Sequence, residues 1–364
     1  MAASDESYWA EYDGLQHAKH QLLRSYLGGW FPILSSWQGR VLYVDCHAGR
    51  GRHETGHEGS PILALRLLKD HRNRSQILSE TEVNFYLFEN NQRNFEQLEA
   101  EIAELGSLPS NMLVHPHQED YQAHLEREFE GLRSQGRELA ACFAFIDPYG
   151  FKISIDFINK ILSFPATEVL VNFMYRFVNM AMTHDGQARS MDTLFGSSAW
   201  RELGSIEDAT ERSNATISLF SSQLQAQHVT QMYMRGENNA LKYALIHATN
   251  HRRGRELIKN AMWSVDPDGT FSASERATPD QPILIAPEPD LRPLEDALWN
   301  KFKGKSIETS KLDDWLLGEL FLPKHLHKIL RDYRNGGVVE ASGYDGSFAF
   351  KKNPTFKFPK KRPE

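Results

Sequence analysis

An acidic residue followed by two closely spaced glycines ends the first apolar run of the chain. The run 41–44 precedes Asp45, and Gly49 and Gly51 follow with one residue between them. Glycine allows a positive φ and lets the backbone approach a ligand closely. At the carboxyl end of the first strand of an α/β sheet, such a turn is typical of a nucleotide-like cofactor site.

Acidic residues also end the next two predicted strands. Glu89 closes the apolar run 83–88, and Asp120 comes shortly after the run 112–115. Because parallel strands place their carboxyl ends at one edge of a sheet, these acids would meet the glycine turn. A carboxylate accepts two hydroxyl hydrogen bonds well. Two alternatives stay open, since Glu89 could simply begin a helix and Asp120 could be an N-cap.

This order of groups predicts S-adenosylmethionine as the cofactor. That molecule needs a G-x-G turn at its methionine end, an acid for its ribose diol and a polar group for its adenine amine. A dinucleotide needs G-x-G-x-x-G, but Glu54 occupies the third glycine position, which disfavours a nicotinamide-dependent oxidoreductase. The predicted cofactor-binding residues are Asp45, Ala48, Gly49, Gly51, Glu89 and Asp120.

Asp147, Pro148 and Tyr149 follow the fourth apolar run, 140–146, and are the predicted catalytic residues. A methyl group on a sulfonium is already activated, so the enzyme has to position the nucleophile. The Asp147 carboxylate and the Pro148 carbonyl would accept the two N–H bonds of an exocyclic amine, and Tyr149 or Phe151 would stack on the base. The alternative is an ordinary D-P-x-G β-turn. No Cys or His spacing indicates a metal site.

The elements that position these residues follow from hydrophobic patterning. Apolar runs of about six residues alternate with helix-length segments, which indicates a parallel sheet built from βαβ units. Residues 8–38 have helical spacing and are rich in aromatics. They predict either a helix packed on the sheet or a lid over the cofactor, with Lys19 and His20 as candidate contacts.

Three regions are predicted along the chain. Residues 1–265 would form the α/β domain, with a helical insertion at about 176–235. Residues 266–293 are rich in Pro, Asp, Thr and Ser and would form a linker. Residues 294–364 pattern as three helices and a hairpin with arms at 338–340 and 347–350, which predicts a winged helix-turn-helix domain with a basic tail.

Composition limits the classes of function. The 364 residues carry a formal net charge of −7, which argues against a molecule coated with basic surface but not against a local basic patch. No apolar run reaches transmembrane length, and residues 1–7 lack the apolar region of a signal peptide, so we expect a cytoplasmic protein. Cys46 and Cys142 lie in apolar runs and would be buried free thiols.

A local basic patch lies in the C-terminal region. The third predicted helix of that region carries Lys324, Lys328, Arg331 and Arg334. A basic recognition helix would bind the phosphates of RNA or DNA, and that binding would weaken steeply with salt. The alternative is a winged helix used for protein contact, with a solvated charged face.

Several of these stretches together carry a resemblance to a known family. They are Val44-Asp45-x-x-Ala48-Gly49-x-Gly51, Gly59-Ser60-Pro61, Phe145-Ile146-Asp147-Pro148-Tyr149-Gly150 and Lys19-His20…Leu23…Tyr26-Leu27. They resemble the three-Cys-motif partner protein (TcmP) family over roughly residues 15–265, and the C-terminal region resembles the winged helix often attached to it. His47 stands where the family usually has an aromatic.

The resemblance implies a Rossmann-like class I methyltransferase fold. It also implies a possible partner protein, since bacterial members are encoded beside a radical-SAM-like protein with a three-cysteine motif. The stretch 147–150 is similar to the D-P-P-Y of base amino-methyltransferases and closer to the D-P-F-G of tRNA guanine N2-methyltransferases. Against D-P-P-Y, Tyr149 replaces the second proline and Gly150 the aromatic.

The sequence therefore predicts an S-adenosylmethionine-dependent methyltransferase that acts on a nucleic acid base at an exocyclic nitrogen. The alternative is a non-catalytic nucleic-acid-binding protein with a methyltransferase-like fold. Such a protein would deliver substrate to a partner enzyme.

Overall fold

The computed structural model describes residues 9–275, 288–345 and 349–362. Residues 1–7, on which the expectation of no signal peptide depends, and the middle of the predicted linker lie outside this part. The described residues fall into two compact units. The larger contains residues 9–265 and 271–275, and the smaller contains residues 266–270, 288–345 and 349–362.

The larger unit alternates strands and helices. Its helices are α1 (Gly14–Ser35), α2 (Ser60–Lys69), α3 (Arg74–Ile77), α4 (Gln92–Glu104), α5 (Tyr121–Ser134), α6 (Ile155–Leu162), α7 (Tyr175–Ala181), α8 (Ala188–Phe195), α9 (Ala209–Gln223) and α10 (Arg252–Val265). Its strands are β1 (Arg40–Asp45), β2 (Glu82–Phe88), β3 (Met112–His117), β4 (Ala141–Ile146), β5 (Thr167–Phe173), β6 (His228–Arg235), β7 (Leu241–Thr249) and β8 (Ser272–Ser274).

These strands form one mixed sheet in the order β3-β2-β1-β4-β5-β7-β6-β8. Strands β1 to β5 are parallel, and β7 is antiparallel to both of its neighbours. The predicted α/β fold with a Rossmann-like sheet is therefore confirmed. The chain order reverses between β1 and β4, and in such sheets ligands bind outside the carboxyl ends of the strands at that point.

The register brings the predicted strand ends together. Asp45 lies beside Leu87 of β2 and Phe145 of β4. Ile146 pairs with Val171 of β5, so the residues that follow each strand start from the same edge. Strands β4 and β5 are buried along their whole length, because a sheet covered on both faces needs apolar strands.

Helices cover both faces of the sheet. Helix α1 contacts α2 and α10 on one face. On the other face, Phe129 of α5, Phe157 of α6 and Phe220 of α9 pack in one core cluster. Cys46 and Cys142 are buried free thiols, as predicted. Among the described residues, no helix combines the length and the apolarity needed to cross a membrane.

Two segments differ from the predicted organisation. The stretch 176–235 is helical in its first part, but residues 228–235 form β6 of the main sheet. The reason is a period of two, since Thr230, Met232 and Met234 are buried while their neighbours are half-buried. Within the predicted linker, Ser272–Ser274 forms β8, which pairs with β6.

The smaller unit, in its described part, combines helices with a short antiparallel sheet. The helices are α11 (Arg292–Phe302), α12 (Thr309–Leu316) and α13 (Pro323–Asn335), and the strands are β9 (Ser306–Glu308), β10 (Glu340–Ser342) and β11 (Thr355–Lys357). The strand order is β10-β11-β9. The predicted second hairpin arm at 347–350 is not a strand where it is described, because Ala349–Lys352 forms a 3₁₀ turn and pairing begins at Thr355.

The glycine turn after β1 generates a stability prediction. Gly51 has φ +81°, and an added Cβ would lie 3.1 Å from Ile62 and 3.2 Å from Leu98. Gly56 has φ +86° but nothing within 4 Å. We expect Gly56→Ala to cost about 1–2 kcal/mol through its left-handed backbone, and Gly51→Ala to cost about 1–3 kcal/mol more through crowding. Urea unfolding followed by circular dichroism measures both, and equal losses would contradict the crowding.

Candidate cofactor and substrate cleft

A cleft of about 550 Å³ opens at the carboxyl ends of β1, β2, β4 and β5. Six of the nine residues predicted for the cofactor and catalytic sites line it, namely Ala48, Gly49, Glu89, Asp147, Pro148 and Tyr149. The other three, Asp45, Gly51 and Asp120, are not among its lining residues. Lys19 and His20, the predicted contacts of the N-terminal helix, also line the cleft.

The glycine turn forms one wall. The Ala48 amide donates to the Phe88 carbonyl at 2.8 Å, which joins the turn to the end of β2. Gly49 has φ +62°, and an added Cβ would lie 2.3 Å from the ring of Trp9. The backbone of the turn therefore faces the cleft without a side chain, and the indole of Trp9 packs directly on it.

Asp45 lies beneath this turn rather than in the cleft. It is fully buried and accepts hydrogen bonds from the Tyr43 hydroxyl at 3.1 Å and the His47 amide at 3.3 Å. Burial raises the pKa of Asp45 to about 6, against hydrogen bonds from Ser60, Tyr43 and His47 that lower it. The observed contacts of this carboxyl group thus hold the turn to the strand and to the start of α2.

The two later acids have different surroundings. Glu89 lines the cleft, and its Oε1 also accepts the Asn91 amide at 2.6 Å before α4 begins. Asp120 is exposed and caps α5, accepting the Ala123 amide at 2.9 Å. The N-cap alternative thus describes the observed contact of Asp120, whereas Glu89 reaches the space between β1 and β2.

An ion pair and an amide form the opposite end of the cleft. The Nζ of Lys19 lies 2.5 Å from Oδ2 of Asp147, and the Lys19 side chain is only 2% exposed. The amide nitrogen of Asn172 donates to Oδ1 of Asp147, also at 2.5 Å. Both oxygens of Asp147 therefore have partners, and Asn172 Oδ1 is buried without a hydrogen-bond partner among the described residues.

Two of the imidazoles that line the cleft have lowered pKa values. Burial lowers the pKa of His47 to about 4, despite the nearby Asp147 and Asp120 carboxylates. Burial, with help from the Lys19 charge, also lowers the pKa of His20. At neutral pH these two rings therefore add no positive charge next to a cationic ligand.

Tyr149 stands at the mouth of the cleft. Its side chain is 59% exposed, and its ring lies edge-on to Phe177 at 5.5 Å between centroids. An exposed aromatic beside a buried acid offers a planar surface for a base.

Sequence reasoning missed several lining residues, among them Trp9, Gln16 and Asn172. Asn172 could have been noticed in the sequence, because it is an amide in a strand that is otherwise rich in apolar residues. In the structure it is buried. Gln16 has a buried Oε1 without a partner among the described residues, but nothing in its helical pattern marks it.

Comparisons with known proteins concern the fold. No protein-family model matches this chain, and no curated protein matches it. Among solved structures, it is similar to Trm1 from Pyrococcus horikoshii, in complex with S-adenosyl-L-methionine, with 10% identity, a TM-score of 0.35, and coverage of 68% of this chain and 59% of that one. It is also similar to an O-methyltransferase from Bacillus cereus in complex with SAH, with 11% identity, a TM-score of 0.34, and coverage of 66% and 83%.

A third similar structure is M. jannaschii TYW2 in complex with AdoMet, with 12% identity, a TM-score of 0.26, and coverage of 60% of this chain and 73% of that one. The cofactor predicted from the strand ends is bound in two of these three structures. At such identities and scores, the substrate has to be argued from the cleft itself.

The buried Asp45 predicts a pH effect on stability. Its pKa is about 6 in the folded chain against 3.8 for an exposed aspartate. A group whose pKa is higher in the folded than in the unfolded chain stabilises the fold fully at pH values below its unfolded-state pKa. That stabilisation is lost as the pH rises through the folded-state pKa. Relative to Asp45→Asn, the wild type should lose about 3 kcal/mol of unfolding free energy between about pH 4 and 7. Urea unfolding of both proteins across this range measures the difference, and a constant difference would contradict the prediction.

Proposed function

We propose that this protein is an S-adenosylmethionine-dependent methyltransferase that acts on a nucleic acid base, at an exocyclic nitrogen. The observation that carries the proposal is the single cleft at the point where the strand order reverses. It combines the glycine turn and Glu89 at one end with Asp147, Asn172 and Tyr149 at the other.

The first end has the chemistry that the cofactor requires. Glu89 offers a carboxylate to a diol, and Ala48 and Gly49 line the same end of the cleft, next to the indole of Trp9. The neutral His47 lies beside the turn and adds no positive charge near a sulfonium. When bound, S-adenosylmethionine supplies an activated methyl group. The residues of the chain then have to orient the acceptor and exclude water.

The second end is built to accept N–H bonds. Asp147 is already engaged by Lys19 and Asn172, so its carboxylate holds these two side chains in place. Asn172 lines the cleft, and its side-chain carbonyl oxygen is buried without a partner among the described residues, so a small movement of this side chain would offer a second acceptor beside the Pro148 carbonyl. An exocyclic amine has two N–H bonds, and accepting both turns its lone pair away from the ring and toward the methyl group.

Methyl transfer tests this proposal. Tritiated methyl groups from labelled cofactor should enter the RNA or DNA fraction of the host when the purified protein is added. Asp147→Asn and Asn172→Ala should lower that transfer by about 100-fold, because misplacing an acceptor by about 1 Å costs that much. Both variants should keep cofactor binding nearly intact by calorimetry. The matched control is Asp156→Asn, an exposed acid in the first turn of α6.

Thermal unfolding of each variant separates activity from folding. Asp147→Asn keeps the shape of the side chain but removes the partner charge of a buried lysine, and breaking a buried pair costs about 3–5 kcal/mol. Loss of cofactor binding in a folded Asp147→Asn protein would move Asp147 to the cofactor site. A wild type that binds no S-adenosylmethionine would refute the enzyme. Cofactor binding with no transfer to any fraction, together with co-purification of a partner, would favour the non-catalytic alternative.

We further propose that the smaller unit is a winged helix that binds the nucleic acid. In α13, Lys324, Lys328, Arg331 and Arg334 are all exposed, while Leu326 and Leu330 face the core of the unit. The spacing of 324, 328 and 331 places three cations on one helix face. The basic C-terminal tail gives less support to nucleic acid binding, because its Arg362 forms ion pairs with Glu295 and Asp296.

Salt dependence tests this role of α13. The double variant Lys328→Gln, Arg331→Gln should weaken binding to single-stranded RNA and flatten the plot of log affinity against log salt by about 0.7 per lost phosphate contact. Lys301→Gln, Lys305→Gln removes the same charge from another part of the unit and should leave the slope unchanged. Equal slopes for both doubles in fluorescence-anisotropy titrations would count against α13 as the binding surface.

A further inference from the structure

Three side chains with metal-binding atoms converge at the carboxyl end of β3. They are His117 at the end of the strand, Glu119 in the following loop and His124 in the first turn of α5. One ligand atom from each can be chosen so that all three lie within 4.8 Å of one another. This is the one such group among the residues that the structure describes, and none of the three lines the cleft.

Apolar packing holds both imidazoles in place. The His117 ring stacks on Phe88 with centroids 5.1 Å apart, and the His124 ring lies edge-on to the same Phe88 at 5.1 Å. The two imidazole centroids are 4.4 Å apart. Because Phe88 is a buried core residue, the rings are positioned by the fold and not by each other alone.

The hydrogen bonding of the group leaves ligand capacity unused. Oε1 of Glu119 lies 2.7 Å from His124 Nδ1 and 3.8 Å from His117 Nδ1. His117 Nε2 is buried without a partner among the described residues. Nδ1 is the nitrogen of this ring that faces Glu119, so both imidazoles present Nδ1 to the same carboxylate oxygen, as two ligands of one ion would.

We propose that His117, Glu119 and His124 bind a divalent transition-metal ion of the zinc class. Two imidazoles and one carboxylate suit zinc, whereas magnesium and calcium prefer oxygen ligands alone. Ligand atoms about 2.0–2.1 Å from a zinc ion lie about 3.3 Å apart in a tetrahedron, so the present separations need only a small closure. The three side chains are 26%, 36% and 13% exposed, which leaves a fourth position open to solvent.

One neighbouring charge opposes the metal. Arg127 Nη2 donates to Oε2 of Glu119 at 2.7 Å, so this guanidinium occupies one carboxylate oxygen and places a positive charge next to the site. The other oxygen, Oε1, is the one that faces both imidazoles. Removing Arg127 should therefore strengthen binding, an effect opposite in sign to the loss of a ligand.

The position of the group connects it to the cleft. The His117 carbonyl accepts the Glu89 amide at 3.1 Å, and Glu89 lines the cleft. An ion at this site would tie the end of β3 to α5 directly behind that contact.

Metal titration of the full-length protein tests the site, without a polyhistidine tag that would bind the same ions. We expect calorimetry to show one zinc ion bound, and Co²⁺ to give the visible absorption of a low-coordinate site. His117→Gln and His124→Gln should each weaken zinc binding by about 100-fold or more, since even outer-shell changes cost 10–100-fold. Arg127→Gln should bind zinc more tightly than the wild type.

His115→Gln is the matched control, because His115 lies on the same strand but bonds to Asn84 outside the group. Its zinc affinity should equal that of the wild type. Thermal unfolding without metal identifies any variant that fails to fold, and Glu119→Gln, a loop substitution, then serves as the ligand variant. Absence of saturable zinc binding by the folded wild type would overturn the proposal. The proposal would also be overturned if substitutions of His117, Glu119 and His124 weakened zinc binding no more than His115→Gln does.

Discussion

The buried ion pair between Lys19 and Asp147 is the constraint on which the cleft depends. It joins residues 128 positions apart in the chain, at 2.5 Å, with the lysine almost completely excluded from water. Removing two charges from water is costly, and an apolar pair of similar volume often stabilises a fold equally well. The role of this ion pair is therefore to position other parts of the structure, rather than to add stability. It fixes α1 against the end of β4 and orients the carboxylate that holds Asn172.

A second buried polar group fixes the same helix further along. Glu168 of β5 accepts hydrogen bonds from Tyr26 and Trp30 of α1, and His247 of β7 contacts the same carboxylate. Burial alone would raise the pKa of Glu168, but the charge and hydrogen bonds of these partners keep it lowered. Together with the Lys19 pair, this contact sets α1 across the central strands, so one helix covers the core and supplies a cleft wall.

Patterning along the chain predicted the parts of the fold in which one physical signal dominates. Strands β1 and β4 are buried along nearly their whole length, so each is an apolar run that leads to an aspartate. Strand β6 was missed, because its alternating pattern is embedded in a polar segment next to helices. In the smaller unit, the strand at Thr355–Lys357 was missed because only Phe356 is buried there and three residues carry little pattern.

The site was predictable to the extent that its residues end strands. Glu89 and Asp147 could be located because the carboxyl ends of parallel strands meet. Asp120 has the same position in the sequence, yet its carboxylate turns back to cap α5. The position of a residue at the end of a strand predicts where its backbone lies. It does not predict whether the side chain accepts a helix amide or enters the cleft.

The two ends of the cleft differ in how their geometry is specified. The glycine turn and Glu89 belong to consecutive βα connections, and their geometry is specified by backbone conformation and local hydrogen bonds. The other end combines Lys19, Asp147 and Asn172 from three distant parts of the chain, and each depends on the others for its position. The first end of the cleft can therefore be predicted from short stretches of sequence. The arrangement at the other end is a property of the assembled core, because the Asn172 side chain keeps its orientation only while Asp147 holds its amide nitrogen.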